Sequence, residues 1–398
     1  MKKLLVSAVT AGLSTSLFAG LYGDTPDAKH AWAVHDWNRP KPSKVEPAKE
    51  IGQPPSDAVV LFDGTKASFE KNWRDGKGQP SGWSYSDDGY FYTVPNWKNG
   101  GAIFSRAEFG DCQLHIEYRH DPSQLFTDKG PQMRGNSGVF LMNNYEIQVL
   151  ESYYTSRELE GKAGFVDNYA DGQAGSVYAE NPPLVNPARK PGEWQVYDIV
   201  FHQPKWDGDR LVHPGSVTVF FNGVLVQDHW EMEGLTTHRH RRPLAPHRTV
   251  GPLQLQDHGC VVQFRNIWYR PLASRWDNRT HSVLSADESE VMKLRRETAA
   301  KLLAKIDAAK CEAQQVNQAF EVISYAKDEP YLSACRKIFA GYLAKLEAMD
   351  DKALDANRDA ILSIKRSIDV LKRNRVVDTC ALCEKILGIV EKKGWSKK

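Results

Sequence analysis

The feature that most constrains this chain is a change of hydrophobic period near residue 271. Between residues 59 and 269 the sequence consists of short apolar runs separated by turn residues, without an intervening helical pattern. Two of the runs are joined by Asn222-Gly223, the dipeptide most typical of a two-residue β-hairpin. A long series of such runs predicts one large antiparallel β-sandwich.

Beyond these runs the apolar residues recur every three or four positions, which is helical spacing. Ser285 followed by Glu288 forms a capping box, the sequence signature of a helix start. Residues 285–398 are therefore predicted to form a small α-helical bundle, joined to the sandwich by a linker at 273–284.

The amino terminus has the composition of a secretory signal peptide. Lys2 and Lys3 precede a mostly apolar run of small residues that is too short to span a bilayer. We therefore expect a signal peptide over residues 1–20, export to the periplasm or the extracellular space, and no membrane span; a short membrane anchor is the alternative. Residues 21–56 are polar and rich in proline, which is typical of an extended leader or linker.

The charge balance argues against nucleic acid as a partner. The chain has 52 Lys and Arg against 50 Asp and Glu, a formal net charge of +2, so no general attraction to a polyanion is expected. The one basic cluster, residues 237–242 with His247 and Arg248 nearby, lacks interleaved aromatic residues. A solvated loop is the favoured interpretation of this cluster.

Four of the six cysteines lie in the predicted helical region: Cys311, Cys335, Cys380 and Cys383. In an exported protein the favoured interpretation is two disulfides that connect helices, and buried free thiols come next. A thioredoxin-like redox site at the Cys-x-x-Cys would require a surrounding βαβ unit, which the pattern lacks. A zinc site would also need Cys311 and Cys335 as ligands, and these lie far away in sequence. Haem attachment is excluded because Glu384 stands where histidine is needed. Pairing of Cys112 with Cys260 stays open.

The most informative stretch is a polar strand at residues 145–151. Side chains alternate along a strand, so Glu146 and Gln148 share a face, and Glu151 joins them only if a bulge adds one residue. Two carboxylates on a concave sheet face would suit acid–base catalysis on a sugar. The alternative is a row of solvated positions on a half-exposed strand.

A second polar group follows an apolar strand near the end of the predicted sandwich. Gln256, Asp257 and His258 lead into Gly259, which places the imidazole on a tight turn. Histidine is the side chain best matched to proton transfer near neutral pH. The alternative is a histidine with a structural role only.

A series of short motifs runs through the predicted sandwich in a fixed order. They are LFDG at 61–64, GNSGVFL at 135–141, YEIQVL at 145–150, GQAG at 172–175, KPGEWQ at 190–195, VTVFFNGV at 217–224, LQDHG at 255–259 and FRNI at 264–267. Together they resemble the 3-keto-disaccharide hydrolase domain, formerly a domain of unknown function, over residues 57–272. The resemblance implies a mainly β fold, a concanavalin-like antiparallel jelly-roll β-sandwich. It also implies export and cleavage of glycosides already oxidised to a ketone at C3 of the sugar.

Residues 146–151 are also similar to the bulged catalytic strand of family-16 glycoside hydrolases, which share the jelly roll. That strand carries Glu, Asp and Glu, and Gln148 stands here where Asp is expected. Because the middle carboxylate is missing, the departure argues against conventional double displacement.

A 3-keto sugar can be cleaved without a covalent nucleophile. The ketone acidifies the hydrogen at C2, a base removes it, and the C1–oxygen bond breaks by β-elimination once that oxygen is protonated; water adds afterwards. Glu146 and His258 are predicted to share the acid and base roles, in an order left open. The residues predicted to bind the substrate or support the site are Asn136, Gln148, Glu151, Arg189, Lys190, Gln256 and Asp257.

Two alternative functions fit the same residues. One is a lectin-like carbohydrate-binding module without turnover, and the other is a conventional family-16-like retaining glycoside hydrolase. In each case the expected partner is an oligosaccharide or glycoside. No cofactor is required by the sequence, although carboxylates with histidine leave room for a divalent cation. The helical region is a candidate for binding a protein partner.

Overall fold

The computed structural model describes residues 23–94, 101–124, 130–154, 168–273 and 288–395. The chain divides into two compact units, one of residues 43–275 and one of residues 1–42 with 276–398. The predicted signal peptide, residues 1–20, and all but the first residue of the predicted linker lie outside the described residues.

In the described part of the unit of residues 43–275, most of the regular secondary structure is β-strand. The strands are β1 Val59–Phe62, β2 Trp73–Arg74, β3 Ser84–Ser86, β4 Tyr90–Tyr92, β5 Ile103–Phe109, β6 Cys112–His120, β7 Ser137–Leu141, β8 Tyr145–Val149, β9 Gln195–His202, β10 Lys205–Asp207, β11 Arg210–His213, β12 Ser216–Phe221, β13 Val224–Glu231, β14 Gly234–Leu235, β15 Arg242–Pro243, β16 Gly251–Leu255 and β17 Val262–Pro271. One short helix, α1 Lys66–Asn72, follows β1 and is capped by Thr65, whose side chain accepts the N–H of Ser68.

Two antiparallel sheets form the layers of this unit. The larger has the order β13-β12-β9-β6-β17-β4-β3, with β1 also paired to β17, and the smaller has the order β2-β5-β16-β7-β8. On β9, Tyr197, Ile199 and Phe201 are completely buried while the residues between them are partly exposed. This period of two buries one side of the strand, and each such side chain stabilises the fold by about 2 kcal/mol.

Strands β6 and β8 depart from simple alternation because both of their faces are covered. All five residues of β8 are buried. On β6, His115 lies beneath Gly52, whose carbonyl accepts hydrogen bonds from Asn266 Nδ2 at 2.8 Å and Trp268 Nε1 at 3.0 Å. The carboxyl-terminal part of the predicted leader therefore packs on the sandwich.

The other unit contains a bundle of helices. They are α2 Glu288–Leu303, α3 Glu312–Tyr325, α4 Tyr331–Ala348, α5 Asp351–Ala356, α6 Arg358–Arg373 and α7 Ala381–Lys392. Helix α3 is central and packs against α2, α4 and α6, and its Val316, Ala319 and Phe320 are completely buried. Asn317 binds Ser363 Oγ at 2.9 Å and accepts from Ser367 Oγ at 2.7 Å, so this buried amide is satisfied.

The first part of the predicted leader belongs to the helical unit. Ala31 is buried, Asn38 Nδ2 donates to Glu321 Oε1 at 2.7 Å, and Arg295 Nη1 donates to the carbonyl of Asp27 at 3.1 Å. The leader expected over residues 21–56 is thus divided between the two units. Local sequence could not show this, because the docking partners lie more than 200 residues downstream.

The structure confirms the predicted fold class, an antiparallel jelly-roll sandwich followed by helices. The expectation of disulfides between helices is wrong, since all six cysteines are free thiols. Cysteine spacing alone does not determine whether the Cα atoms come within bridging distance. Within the described residues, no helix has the length and hydropathy needed to cross a membrane.

Candidate active site

The candidate site lies on the outer face of the smaller sheet, where β7 and β8 pair. The pairing is regular, with Glu146 opposite Phe140 and Gln148 opposite Gly138. The residues between them face the core, so both polar residues of β8 share the other side, as the alternation predicts.

Gly138 makes room for the carboxylate of Glu146. A Cβ atom at position 138 would overlap Glu146 Oε1 and would also touch the ring of Phe140. The missing side chain therefore lets the carboxyl group approach the backbone of β7 closely.

Glu146 is almost completely buried, with 3% of its surface exposed. Its backbone N–H donates to Thr236 Oγ1 at 2.9 Å. The amide nitrogen of Gln148 donates to Glu146 Oε1 at 3.1 Å and to the carbonyl of Ser137 at 3.2 Å. Burial nevertheless dominates and raises the pKa of Glu146 to about 8, so the carboxyl group is mainly protonated at pH 7.

His258 enters the site from the turn that follows β16. The N–H of Gln256 donates to the carbonyl of Gly138 at 3.1 Å, which extends the β16–β7 contact beyond the strand. Asp257 accepts the N–H of Gly259 at 2.8 Å and so holds the turn. Burial lowers the pKa of His258, and its imidazole is therefore neutral at pH 7.

Glu146 and His258 line one pocket with a volume of about 240 Å³. Its walls are formed by Asn136, Phe140, Glu146, Gln148, Tyr178, Thr236, Thr237, His238, Gln256 and His258. The pocket thus combines a neutral carboxylic acid, a neutral imidazole and three amides. Such a set can bind a neutral polar ligand and move protons at two positions.

Residues 57–270 match the 3-keto-alpha-glucoside-1,2-lyase-like domain. The chain belongs to this family. Membership makes the sandwich a carbohydrate-active domain, either an enzyme that acts on glycosides or a binder, and it confirms the resemblance drawn from the motifs.

Two of the solved structures that are similar to the lyase-like domain come from Parabacteroides distasonis ATCC 8503. One candidate glycosyl hydrolase is 36% identical, covers 61% of this chain and 98% of that chain, and has a TM-score of 0.51. A second from the same bacterium is 18% identical and covers 58% of this chain and 100% of that chain, with a TM-score of 0.38. Comparison with curated proteins gave no match.

Half of the pocket wall of the lyase-like domain was not predicted. Tyr178 hydrogen-bonds His238 Nδ1 at 2.9 Å and Tyr169 at 3.1 Å, and burial raises its pKa. His238 belongs to the basic cluster that was expected to be a solvated loop, and it instead reaches the pocket together with Thr237. A second cavity of about 270 Å³ shares Tyr178 and Thr237, so the cleft continues past these residues.

Phe140 and Thr236 are the remaining residues of the pocket wall that were not predicted from the sequence. Phe140 could have been found, since it lies two residues after Gly138 and therefore faces the same side of β7. Thr236 comes from a loop and carries no periodic signal.

Asn136 is held in place by a chain of amides. Its Nδ2 donates to the backbone carbonyl of Gln132 at 2.8 Å and to Gln132 Oε1 at 2.9 Å. Gln132 Nε2 in turn donates to Asn168 Oδ1 at 2.6 Å. The amide of Asn136 is thereby fixed at the edge of the pocket.

Glu151 does not line the pocket, as expected for a strand without a bulge. The β7–β8 ladder has no register shift, and Glu151 lies beyond its end. Its carboxylate accepts the N–H of Tyr153 at 2.8 Å, and its Oε2 lies 3.5 Å from Arg134 Nε. Glu151 therefore anchors the segment after β8, and among the described residues that line the pocket Glu146 is the one carboxylate.

Three other predicted residues also lie outside the pocket wall. Arg189 donates through Nη1 to the carbonyl of Trp194 at 3.2 Å, and the N–H of Lys190 donates to Glu193 Oε2 at 2.9 Å. These contacts stabilise their own loop, as a rigid connector would, and Asp257 holds its turn. Within the described ranges, no group of three or more His, Cys, Asp or Glu side chains is arranged to hold a metal ion.

Proposed function

We propose that the sandwich cleaves the glycosidic bond of 3-keto-glycosides by β-elimination followed by hydration. The observation that carries the proposal is the pairing of a protonated buried carboxyl group, Glu146, with a neutral imidazole, His258, in one pocket. Family membership supports the choice of a 3-keto sugar as the substrate.

The protonation states of Glu146 and His258 support one assignment of the acid and base roles. A general base must begin without its proton, and burial keeps His258 neutral. A general acid must begin with its proton, and burial keeps Glu146 protonated. We therefore assign C2 proton abstraction to His258 and protonation of the leaving oxygen to Glu146.

The cycle restores both groups. His258 takes the C2 proton and becomes imidazolium while the electron pair moves onto the C3 oxygen as an enolate. The enolate collapses, the C1–oxygen bond breaks, and Glu146 gives its proton to the departing oxygen. Glu146 then takes a proton from the water that adds at C1. The imidazolium proton of His258 exchanges with solvent while the leaving group departs, and His258 then protonates C2. The net reaction is hydrolysis.

An amide donor can stabilise the enolate. Asn136 and Gln148 use both of their amide N–H groups within the protein and so hold the wall in place. The donor assigned to the enolate oxygen is therefore the amide of Gln256, which lines the same wall. The continuation of the cleft past Tyr178 offers space for the leaving group.

The test separates the two steps with purified full-length protein in D₂O. With a 3-keto-disaccharide, the wild type should cleave the bond and leave deuterium at C2 of the product. His258→Asn should lose both exchange and cleavage. Glu146→Gln should lose cleavage of the disaccharide but should regain it on 4-nitrophenyl 3-keto-glucoside, since a nitrophenolate leaves without protonation.

The controls address the alternative functions. An unoxidised disaccharide should not react, and its cleavage would favour a conventional retaining hydrolase. Glu151→Gln should act only through stability, whereas double displacement would require that carboxylate. Product without deuterium at C2 would refute the elimination, and complete absence of turnover by the wild type would favour a binding module.

We also propose that the enzyme acts after export, on the strength of the amino-terminal sequence alone. Fractionation of the native host should place the mature chain, shortened at its amino terminus, outside the cytoplasm. A cytoplasmic protein of full length would contradict the proposal.

A further inference from the structure

The Cys-x-x-Cys motif of the helical unit has no part in the proposed reaction. Cys380 is the N-cap of α7, and Cys383 lies in the first turn of that helix. Both are free thiols. Cys380 is half-buried and open to solvent on one side, whereas Cys383 is completely buried.

The start of α7 brings two hydrogen-bond donors to one sulfur. The backbone N–H of Cys383 donates to Cys380 Sγ at 3.2 Å, and the thiol of Cys383 hydrogen-bonds the same atom. The N–H groups of a helix N-terminus favour negative charge as well. A thiolate at Cys380 is therefore stabilised by the helix and by a buried partner thiol.

The charges around the pair oppose this polarity, and the hydrogen bonds outweigh them. The hydrogen bond from Cys383 lowers the pKa of Cys380 to about 6, and the same bond raises the pKa of Cys383. Glu384 on α7 opposes ionisation of Cys380, and Lys372 on α6 favours ionisation of Cys383. Both charges oppose a thiolate at Cys380 beside a thiol at Cys383. The hydrogen bonds therefore determine which of the two cysteines ionises first.

Other cysteines of the chain lack this arrangement. Cys311 is also a helix N-cap, at the start of α3, but its side chain accepts no capping hydrogen bond and Gln314 stands at the position of the partner thiol. Cys112 and Cys335 are buried, and burial raises their pKa. Cys311 is therefore a matched internal control for Cys380.

We propose that Cys380 and Cys383 form a thiol–disulfide exchange centre that reacts with a low-molecular-weight disulfide. The Cys380 thiolate attacks one sulfur of the external disulfide, its S–S bond breaks, and one external thiolate leaves. Cys383 then loses its proton and attacks Cys380 Sγ, which expels the second external thiolate. Overall the dithiol gives two electrons and two protons, and one disulfide becomes two thiols.

The experiment uses the reduced full-length protein with glutathione disulfide, followed by alkylation and peptide mass spectrometry. The wild type should form the 380–383 disulfide. Cys383→Ser should accumulate glutathione on Cys380, Cys380→Ser should form neither product, and Cys311→Ser should behave as wild type. Absence of the 380–383 disulfide in the wild type, or equal glutathione on Cys311 and Cys380 in Cys383→Ser, would overturn the proposal.

A second measurement needs no variant. At pH 7, iodoacetamide should modify Cys380 about threefold faster than Cys311, because the lowered pKa of Cys380 gives a larger fraction of thiolate even though a thiolate of low pKa is less nucleophilic. The rate at Cys380 should titrate near pH 6. Equal rates at the two cysteines would refute the assignment of Cys380 as the attacking thiol.

Discussion

Replacing Glu146 by glutamine should stabilise the sandwich, and the gain should grow with pH. The folded pKa of Glu146, about 8, lies above the ordinary glutamate pKa of 4.5. Below pH 4.5 the carboxyl group is neutral in the folded and in the unfolded protein, so it does not lower the free energy of unfolding. Between these pKa values it ionises in the unfolded chain only, so stability falls as pH rises. Above pH 8 the full penalty is present.

The size of the effect follows from the burial of Glu146. The penalty grows by about 1.4 kcal/mol per pH unit between the two pKa values and reaches about 5 kcal/mol above pH 8. The assay is urea unfolding of wild type and Glu146→Gln from pH 4 to pH 9, followed by fluorescence of buried sandwich tryptophans such as Trp73. The helical unit is the same in both proteins and cancels from the difference.

The control is Glu70→Gln, because Glu70 is exposed on α1. This substitution at an exposed position should change the free energy of unfolding by less than about 0.5 kcal/mol. A flat difference for Glu146→Gln would refute the reasoning, since it would mean that the folded and unfolded proteins ionise Glu146 alike. The proposed general acid would then be an ordinary carboxylate.

Three further predictions test other parts of the structure. Gly138→Ala should lower kcat/KM for the keto sugar about 100-fold, because the new Cβ displaces the Glu146 carboxyl group. An unchanged kcat/KM would show that activity does not depend on close packing of this carboxyl group against Gly138. Burial alone would lower the pKa of His115, but its hydrogen bonds with Asp198 and Glu117 raise it to about 9. The wild type should therefore lose about 3 kcal/mol of stability between pH 6.5 and pH 9 that His115→Gln does not lose, measured by urea unfolding. Exhaustive treatment with a chelator should leave turnover unchanged, and activity restored only by an added divalent cation would contradict the proposed chemistry.

Local alternation was enough to predict the centre of the site. Glu146 and Gln148 were placed on one face by the period of two, and the regular pairing with β7 keeps them there. The same argument left the position of Glu151 open, because Glu151 joins that face only through a bulge, and a bulge depends on how the neighbouring strand pairs. Sequence alone does not report that pairing.

Residues contributed by loops could not be predicted in the same way. Tyr178 and His238 reach the pocket through long-range contacts, and no periodicity marks either residue. Charge misled the interpretation of residues 237–242, since a basic cluster is normally solvated while two of its members face the pocket. The protonation states of Glu146 and His258 could not be predicted from the sequence either, because burial determines them and burial is a property of the whole fold.

The protonation state of Glu146 distinguishes two reactions that a sugar-binding pocket of this kind could catalyse, double displacement and β-elimination. A retaining hydrolase needs an ionised nucleophile and a second carboxyl group about 5 Å away. Here burial keeps Glu146 neutral, and Glu151 lies outside the pocket wall. Elimination has the opposite requirement, because negative charge develops on the C3 oxygen and an ionised carboxylate nearby would oppose it. The burial that makes Glu146 unsuited to nucleophilic attack therefore favours an enolate route.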